Sequence, residues 1–283
     1  MSIIINTNVS SILVQRSLST STHNIQSSLE KLSTGYRINK AADDAAGLSI
    51  SESLKAQGRG AQVASNNAQT GINLLQTAEG DLAIIQENLQ RIRDLAIQAA
   101  NGTNGSAERT AIQAEVQQRV TEIDRLAESS AFNGIKLLDG STTSDLKIQI
   151  GANSNPSLNS ISLTDGENPL ESATASSLGM TTALATAFGT TGAAASFISQ
   201  IDDAISNVSS RRSTIGSIQN RLESAIQSLN IQYENMSASE SRIRDVDVAD
   251  EAANLTKNQI LQQASASLLA QANQAPSIAL SLI

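Results

Sequence analysis

The sequence predicts a mainly α-helical protein, namely a long antiparallel helical bundle or coiled coil that forms an elongated rod and carries a small β-hairpin region. Residues 54–99 carry a 3-4 repeat of apolar side chains for more than six heptads, which indicates one long helix with a continuous buried seam. A second repeat of this kind occurs at 201–236. The chain has only three prolines, and none precedes Pro156, so its first half contains no strong helix breaker.

The composition excludes several classes of protein. The chain of 283 residues has no cysteine, which excludes disulfides, thiolate metal sites and cysteine nucleophiles. Its net charge of −8 argues against a nucleic-acid partner, because phosphate binding needs clustered Lys and Arg. No apolar run approaches the roughly 20 residues of a membrane span, so we expect no membrane partner. The first residues also lack the basic segment of a secretory signal peptide.

The chain lacks the side chains that catalysis usually needs. It has one histidine, His23, and no Gly-rich phosphate loop follows a predicted strand. Asp43 and Asp44 could form a catalytic or metal-binding pair, but adjacent residues do not face the same way on a helix, and no His or Cys lies near them. We therefore expect no enzyme activity, no catalytic or metal-binding residue and no cofactor.

The first predicted helix runs from about Asn8 to Ser33, because its apolar residues recur at helical spacing and Gly35 can supply a left-handed cap. A loop, TGYRINKAADDAAG, follows this helix. Within it, Asp43 and Asp44 stand just before the long helix, where carboxylates stabilise a helix N-terminus.

The long helix supplies the seam of the predicted rod. Its apolar positions include Leu54, Leu75, Leu82 and Leu89, which are separated by multiples of seven. It ends near Asn101, where two Asn-Gly pairs in NGTNG indicate a turn. A third helix follows and forms an antiparallel helical hairpin with the second. Its apolar face consists of Ile112, Val116, Val120, Ile123 and Leu126 or Ala127.

The periodicity then changes to that of a β-strand. An apolar run, IKLL, is separated by Asp139-Gly140 from a segment in which apolar and polar residues alternate, and we predict a β-hairpin across this turn. Residues 141–200 contain 20 serines and threonines, which predicts a loop on the outer surface. The alternating residues are Leu146, Ile148 and Ile150, with Ile161 and Leu163 as a possible extension.

Helical periodicity returns from about Ala193. The seam of this helix includes Ile215, Leu222 and Leu229, and we expect it to pack against the seam at 54–99.

Both ends of the chain carry little charge. SRIRDVDVADE precedes a last helix that Asp247 or Asp250 could cap and that runs through about Asn273. From Ala252 to the end of the sequence only Lys257 is charged, although a solvated helix usually carries charge on its outer face. The ends are either weakly ordered tails or assembly segments that order only against copies of the chain. We favour assembly, with these side chains buried in the polymer: Leu18, Ile25, Leu29, Ile260, Leu261 and Leu268.

Long and specific stretches cover about the first 150 and the last 85 residues. Those on the N-terminal side are IINTNVSSI, LEKLSTGYRINKAADDAAGLSISESL, the run from QTGINLLQTAEGDL through QRIRDLAIQAANGTNG, QAEVQQRVTEIDRLAESSAFNGIKLLDGS and LKIQIGAN. Those on the C-terminal side are GSIQNRLESAIQSL, ASESRIRDVDVADEAANLTKNQILQQASASLLAQANQAP and LSLI. In all of these stretches the sequence resembles bacterial flagellin.

The resemblance implies a division into core and rod. Residues 1–45 and 241–283 would form the coiled-coil domain of the filament core, and residues 46–140 and 193–240 the helices of the rod domain. Residues 141–192 would be the Ser/Thr-rich β-hairpin and outer loop. This middle segment is short, so the large variable outer domains of some relatives should be absent.

The resemblance also implies a function, namely a structural subunit that self-assembles into the bacterial flagellar filament for motility. The implied location is extracellular, reached through the flagellar type III export channel without a cleaved signal peptide. The implied partners are copies of the chain, an export chaperone, the cap protein and hook-associated proteins. The alternative is a hook–filament junction-type axial protein, which would not usually share the whole GYRINKAADDAAGLSIS stretch. Because His23 is the only histidine, the H-E-x-x-H motif of metalloprotease-like flagellins cannot exist here.

A further implication of the resemblance is a contact site for the vertebrate Toll-like flagellin receptor. Its contact residues would be Arg91, Leu95 and Glu115, with Gln90 and Arg119 nearby. Arg91 and Leu95 stand four residues apart on one helical face and off the seam, so we expect both to lie at the surface. An ordinary surface pair is the alternative.

Overall fold

The structure is a computed structural model that describes residues 7–141, 146–163, 168–180 and 187–280, with side chains given as far as residue 274. Parts of the expected loop at 141–192, and both extreme ends of the chain, therefore lie outside the described residues. The chain divides into two compact units. The terminal unit comprises residues 1–57 and 234–283, and the central unit comprises residues 58–233.

The terminal unit contains an antiparallel pair of helices, α1 (Val9–Thr34) and α6 (Val248–Leu280). Helix α1 lies within one residue of its predicted bounds. The Asn8 side chain accepts a hydrogen bond from the Ser11 amide at 3.1 Å, which caps the start of the helix. Gly35 ends α1 with a φ of 75°, a left-handed conformation that glycine adopts without a steric penalty.

Helix α6 begins directly after Asp247. The Asp247 carboxylate accepts hydrogen bonds from the amides of Ala249 and Asp250, so Asp247 is the cap and Asp250 is not. The prediction that this helix ends at about Asn273 is wrong, because α6 continues to Leu280. A proline removes only one backbone donor, so a helix can continue past it when its other hydrogen bonds persist.

The loop before α2 (Ala45–Ala100) gives its two carboxylates different roles. Asp44 accepts a hydrogen bond from the Gly47 amide at 2.8 Å and so caps α2, as predicted. Asp43 instead accepts hydrogen bonds from the amides of Asn39 and Lys40, at 3.0 and 2.9 Å. These two backbone donors, Lys40 first, lower the pKa of the Asp43 carboxyl.

The central unit is built around the seam of α2 from Gly58 onward. From Ala68 onward this seam packs against α3 (Ser106–Ser129) and α5 (Thr191–Arg244) in one hydrophobic core, while Ala61 and Ala64 form a second, small cluster with Leu229 of α5. The predicted α-helical fold class is therefore confirmed. The α3 side chains in this core are those of its predicted apolar face: Ile112, Val116, Val120, Ile123, Leu126 and Ala127.

Among the described residues, the β-region contains two separate two-stranded antiparallel sheets. In the second sheet Ile148 lies opposite Ile161, and a short helix separates the two strands in sequence. The elements are β1 (Ala131–Phe132) with β2 (Ile135–Lys136), and β3 (Lys147–Gln149) with β4 (Ser160–Ser162), and the short helix is α4 (Pro156–Asn159).

The predicted hairpin across Asp139-Gly140 is wrong. Asn133 and Gly134 both have positive φ, 48° and 81°, which closes a two-residue hairpin one turn earlier, between β1 and β2. The residues after β2 then turn into the core, where Leu137 and Leu138 are fully buried instead of pairing with β3.

The Ser/Thr-rich segment is less superficial than predicted. Its described part is largely irregular, but most of the apolar side chains there join or pack against the main core, where Leu163, Leu170, Met180 and Phe188 are at most 4% exposed. Leu158, at 77% exposure, is an exception. The expectation of an outer surface loop is therefore corrected. The prediction relied on the large number of polar residues in the segment. Its burial is instead set by the smaller number of apolar side chains, which pack into the core.

Two charged side chains hold this segment against the helices. The Arg211 side chain of α5 is only 7% exposed, and it donates to the carbonyl oxygens of Glu171 and Ser172 at 2.8 and 2.9 Å. Burial lowers the pKa of this guanidinium, and the nearby Glu171 carboxylate raises it. From α3, Asp124 accepts a hydrogen bond from the Ala175 amide at 2.7 Å.

Candidate functional site

The most deeply buried side chains of α1 and α6 are small and polar. Ser21 and Ser28 of α1 and Ser265 of α6 are buried, at 6%, 3% and 9% exposure. Small side chains allow two helices to approach closely. Other large apolar side chains of the two helices, such as Leu18 and Ile25, are half-buried beside these serines, and several more lie away from the contact.

Hydrogen bonds between side chains cross this contact. The Ser28 hydroxyl donates to the Glu251 carboxylate at 2.5 Å, and the Gln262 amide donates to the Thr22 hydroxyl at 3.0 Å. Lys31 also lies 3.7 Å from the Glu251 carboxylate. The pair therefore forms within a single chain, whereas we expected the ends to be disordered in the monomer. The expectation did not include these hydrogen bonds, because their partners lie more than 200 residues apart in the sequence and meet only when the two helices pair.

The faces away from the contact are apolar and exposed. Eight large apolar side chains of the pair are 45–62% exposed. In soluble proteins, large contiguous patches of exposed apolar side chains mark interaction sites. The eight are Val9, Ile12, Leu13 and Leu29 on α1, and Val248, Ile260, Leu261 and Leu268 on α6. We call them the apolar face.

The structure places four of the six predicted assembly residues on the apolar face. Leu29, Ile260, Leu261 and Leu268 belong to it. The other two, Leu18 and Ile25, are half-buried against the pair.

A group of residues that the sequence analysis missed joins the chain after α1 to the end of α5. Tyr36 pairs with Asp245 as an isolated β-bridge, and the Arg244 guanidinium lies 4.7 Å from the centroid of the Tyr36 ring. Arg244 also forms an ion pair with Glu52 at 2.6 Å. Because Arg244 and Glu52 are 192 residues apart, no sequence spacing could reveal this contact.

The predicted rod-seam residues lie in both units. Leu54 belongs to the terminal unit, where it is half-buried. The other six belong to the central unit and are at most 5% exposed: Leu75, Leu82, Leu89, Ile215, Leu222 and Leu229.

A charged cluster joins α2 and α3 in the central unit. The Glu115 carboxylate lies 3.2 Å from the Arg91 guanidinium and 3.5 Å from that of Arg119. Arg119 also donates to the Asn88 side chain at 3.2 Å. All four side chains are at least partly exposed, and so is Gln90, which lies beside them in sequence. We call Asn88, Arg91, Glu115 and Arg119 the charged cluster.

The structure separates Leu95 from the exposed part of this face. Leu95 is 3% exposed and belongs to the hydrophobic core, which corrects the expectation that it lies at the surface with Arg91. Helix α2 buries a wider face than a strict heptad seam, because both α3 and α5 pack against it.

Comparison with known proteins decides the family. The model of the bacterial flagellin N-terminal helical region matches residues 5–143, and that of the C-terminal helical region matches residues 198–283. The chain is 43% identical to a flagellin of Halalkalibacterium halodurans over 99% of both chains. The chain belongs to the bacterial flagellin family.

Two further flagellar proteins are similar to this chain. The flagellar filament 33 kDa core protein of Treponema phagedenis is 40% identical over 99% of both chains. A crystal structure of Bacillus cereus flagellin is 33% identical and covers 62% of this chain and 94% of its own, with a TM-score of 0.48.

Two features that many functional sites use are not found in the described part of this flagellin. Across the described ranges, no three His, Asp or Glu side chains come together as metal ligands would. Nor does any helix in those ranges combine the length and apolar character that crossing a membrane requires.

Proposed function

We propose that the chain is a structural subunit that assembles with copies of itself into the bacterial flagellar filament, and that the apolar face is its assembly surface. The observation that carries this proposal is the exposure of eight large apolar side chains on two nearly uncharged helices. A helix pair that served only to fold the monomer would turn those side chains inward.

The energetics suit assembly. Complete burial of a Val, Leu or Ile side chain contributes about 1.5–3 kcal/mol. Eight such side chains, each about half exposed, would therefore contribute on the order of 10 kcal/mol per subunit. This is comparable with the cost of association, about 4–15 kcal/mol, so the apolar face alone makes assembly possible and contacts elsewhere must add to it.

The relatives favour a filament subunit over a junction protein. Those that match along their whole length at about 40% identity are named as flagellins or filament core proteins. A hook–filament junction-type axial protein, the alternative, would share the terminal helices without this match through the central unit.

The remaining parts of the proposal follow from a filament role. The filament is extracellular, so the subunit would leave the cell through the flagellar export channel, accompanied by an export chaperone, and add beneath the cap protein. Hook-associated proteins would contact the ends of the filament. The role is structural and requires no enzyme activity.

The test replaces one residue of the apolar face. Leu261→Asp places a carboxylate where a neighbouring subunit would bury it, and an unpaired buried carboxylate is strongly unfavourable. Because Leu261 is 45% exposed in the single chain, the variant should fold normally, with an unchanged circular dichroism spectrum. It should fail to elongate sheared filament seeds, as measured by electron microscopy and sedimentation.

Leu158→Asp is the matched control, since Leu158 is a leucine of the central unit with 77% exposure. This variant should elongate seeds at the rate of the unchanged protein. Normal elongation by Leu261→Asp would show that the apolar face is not the assembly surface.

We also propose that the charged cluster contacts the vertebrate Toll-like flagellin receptor. The supporting observation is that three of its charged side chains, from two helices, form one exposed network. Leu95 would support this surface from the core and would not itself be the first contact.

The receptor proposal is tested with monomeric protein in a reporter-cell assay. Arg91→Ala combined with Glu115→Ala should lower the response. Arg125→Ala, which removes another exposed arginine of α3 that is paired within its own helix, should not. Equal responses from both variants would reject the charged cluster as the contact site.

A further inference from the structure

The sequence contains three Asn-Gly pairs, and all three lie in described turns of the central unit: Asn101-Gly102, Asn104-Gly105 and Asn133-Gly134. An Asn-Gly bond is chemically labile, because the backbone nitrogen of the glycine can attack the side-chain carbonyl carbon of the asparagine. Glycine has no side chain to obstruct this approach. The local dipeptide is the same in each pair, so any difference in reactivity must come from the folded structure around it.

The reaction needs no reagent other than water and hydroxide. Hydroxide removes the proton of the glycine amide, the nitrogen bonds to Cγ of the asparagine, and the Cγ–Nδ2 bond breaks. The departing nitrogen takes a proton from water and leaves as ammonia, and a cyclic succinimide remains. A second water molecule opens this ring at either carbonyl and gives an aspartate or an isoaspartate. Both products carry a negative charge that the asparagine lacked.

Both reacting groups are available at the first pair. Asn101 follows the last residue of α2, and both Asn101 and Gly102 are exposed. Among the described residues, the Gly102 amide has no hydrogen-bond acceptor. The Asn101 side chain accepts one hydrogen bond through Oδ1 from the Thr103 amide at 3.3 Å, which is long for such a bond. This bond leaves Nδ2, the group that departs, without a partner in the described ranges.

Hydrogen bonds hold the second pair in place. Asn104 is half-buried, and its Nδ2 donates to the Gln98 carbonyl oxygen at 2.5 Å. The backbone carbonyl oxygen of Asn104 also accepts a hydrogen bond from the Arg109 guanidinium at 2.7 Å. The Asn104 side chain must therefore give up its bond to Gln98 before Nδ2 can leave.

Backbone conformation holds the third pair. Asn133 and Gly134 are both exposed, but both have positive φ, 48° and 81°, in the hairpin that β1 and β2 close. Phe132 and Ile135 lie opposite each other on either side of this turn. Since the paired strands fix the main chain at Asn133, the Gly134 nitrogen can be brought against the Asn133 side chain only by opening the hairpin.

We propose that Asn101 is a site of spontaneous deamidation, and that the fraction of modified chains records the age of the protein. The new carboxylate stands directly after the end of α2, where the helix carbonyl groups already carry partial negative charge, so it destabilises the last turn. An isoaspartate also lengthens the main chain by one methylene, because the chain then runs through the former side chain. The proposal does not depend on the assembly function.

The experiment incubates the soluble full-length chain in a mildly alkaline buffer and samples it over days. Digestion and fragment-ion mass spectrometry then report the change at Asn101, Asn104 and Asn133 separately. We expect the rate at Asn101 to exceed that at Asn104 by at least about fivefold, the factor that one hydrogen bond of ordinary net strength supplies. The rate at Asn101 should rise with the hydroxide concentration. In urea, where the structure is lost, the three rates should become similar.

Gly102→Ala tests the attacking group. A Cβ at Gly102 meets nothing within 4 Å, so the variant should fold with an unchanged circular dichroism spectrum, yet its methyl group obstructs the nitrogen and should slow the change at Asn101. Gly80→Ala is the matched control, since its Cβ also meets nothing within 4 Å and no asparagine precedes it, and it should leave the rate unchanged.

Three outcomes would overturn the proposal. The first is equal rates at the three asparagines of the folded chain. The second is an unchanged rate at Asn101 in Gly102→Ala. The third is a preference for Asn101 that is as large in urea as in the folded protein, which would mean that the structure does not select the site.

Discussion

Two glycines of α2 should respond in opposite directions to the same substitution. A Cβ added to Gly71 would overlap the Cδ1 atom of Ile148, which packs over α2 from β3. A Cβ added to Gly80, nine residues further along the same helix, would meet nothing within 4 Å. Gly71→Ala therefore tests whether the β3–β4 sheet really rests on α2, and Gly80→Ala is its matched control.

The magnitudes follow from two terms. Alanine is more favourable than glycine inside a helix by about 0.5–1 kcal/mol, and this gain applies at both positions. Gly80→Ala should therefore stabilise the protein by about that amount. At Gly71 the overlap adds an overpacking cost of about 1–3 kcal/mol, because Ile148 must change rotamer or the strand must move. The helix-propensity term cancels in the difference between the variants, which should be about 1–3 kcal/mol.

Urea unfolding of the soluble full-length chain, followed by far-ultraviolet circular dichroism, measures this difference. Adding Ile148→Val removes the overlapping methyl group, so the double variant should recover most of the loss, and a double-mutant cycle should give a coupling of about 1 kcal/mol or more. If Gly71→Ala stabilises the protein as much as Gly80→Ala does, the close packing of β3 on α2 is incorrect.

Three further predictions concern other contacts. Leu82→Ala should lower the free energy of unfolding by about 2–5 kcal/mol in urea unfolding, since Leu82 is fully buried, whereas Ile84→Ala should cost far less because Ile84 is 47% exposed. Arg211→Met leaves the carbonyl oxygens of Glu171 and Ser172 unpaired and should cost about 1–3 kcal/mol in the same assay; a cost no larger than that of Arg125→Met would contradict this. Because the pKa of Asp43 is lowered in the folded state, its ionised carboxylate stabilises the fold above about pH 4, and this stabilisation is lost as the pH falls through the folded-state pKa. The difference in melting temperature between the unchanged protein and Asp43→Asn should therefore shrink in acid. A difference that stays constant from neutral pH to below pH 3 would show that the backbone hydrogen bonds do not hold Asp43 ionised.

The helices could be predicted because their signals are local. The spacing of apolar residues along the chain is set by the 3.5-residue repeat of packed helices, so it was readable at Leu75, Leu82 and Leu89 without knowing their partners. Caps at Gly35 and Asp44 were likewise readable, since a cap acts on residues within one turn.

The strand pairing could be predicted only in part. Both Asn133-Gly134 and Asp139-Gly140 have the chemistry of a turn, and the chain used the first to close a hairpin. The choice depended on whether burial of Leu137 and Leu138 in the core is more favourable than their pairing in a strand. That balance depends on how the helices pack, which the local sequence does not show.

The apolar face was predicted partly from composition. The scarcity of charge at both ends indicated that something must cover them, and Leu29, Ile260, Leu261 and Leu268 were identified as candidates. Composition did not reveal that buried serines would hold α1 and α6 together. The seven-residue spacing of Ser21 and Ser28 was the available signal, and a serine at a heptad position usually indicates only a tolerated polar residue.

The sequence by itself determined the helices of this protein, their seams and its flagellin family, because helical periodicity and long specific stretches are written along the chain. Only the tertiary structure decided that Leu95 is buried while Arg91 is exposed, and that Arg211 is buried while Arg212 is partly exposed. Members of each pair are close in sequence on one helix. Their environments differ because burial and ion pairing depend on which distant segment packs beside each residue, and no local pattern records that.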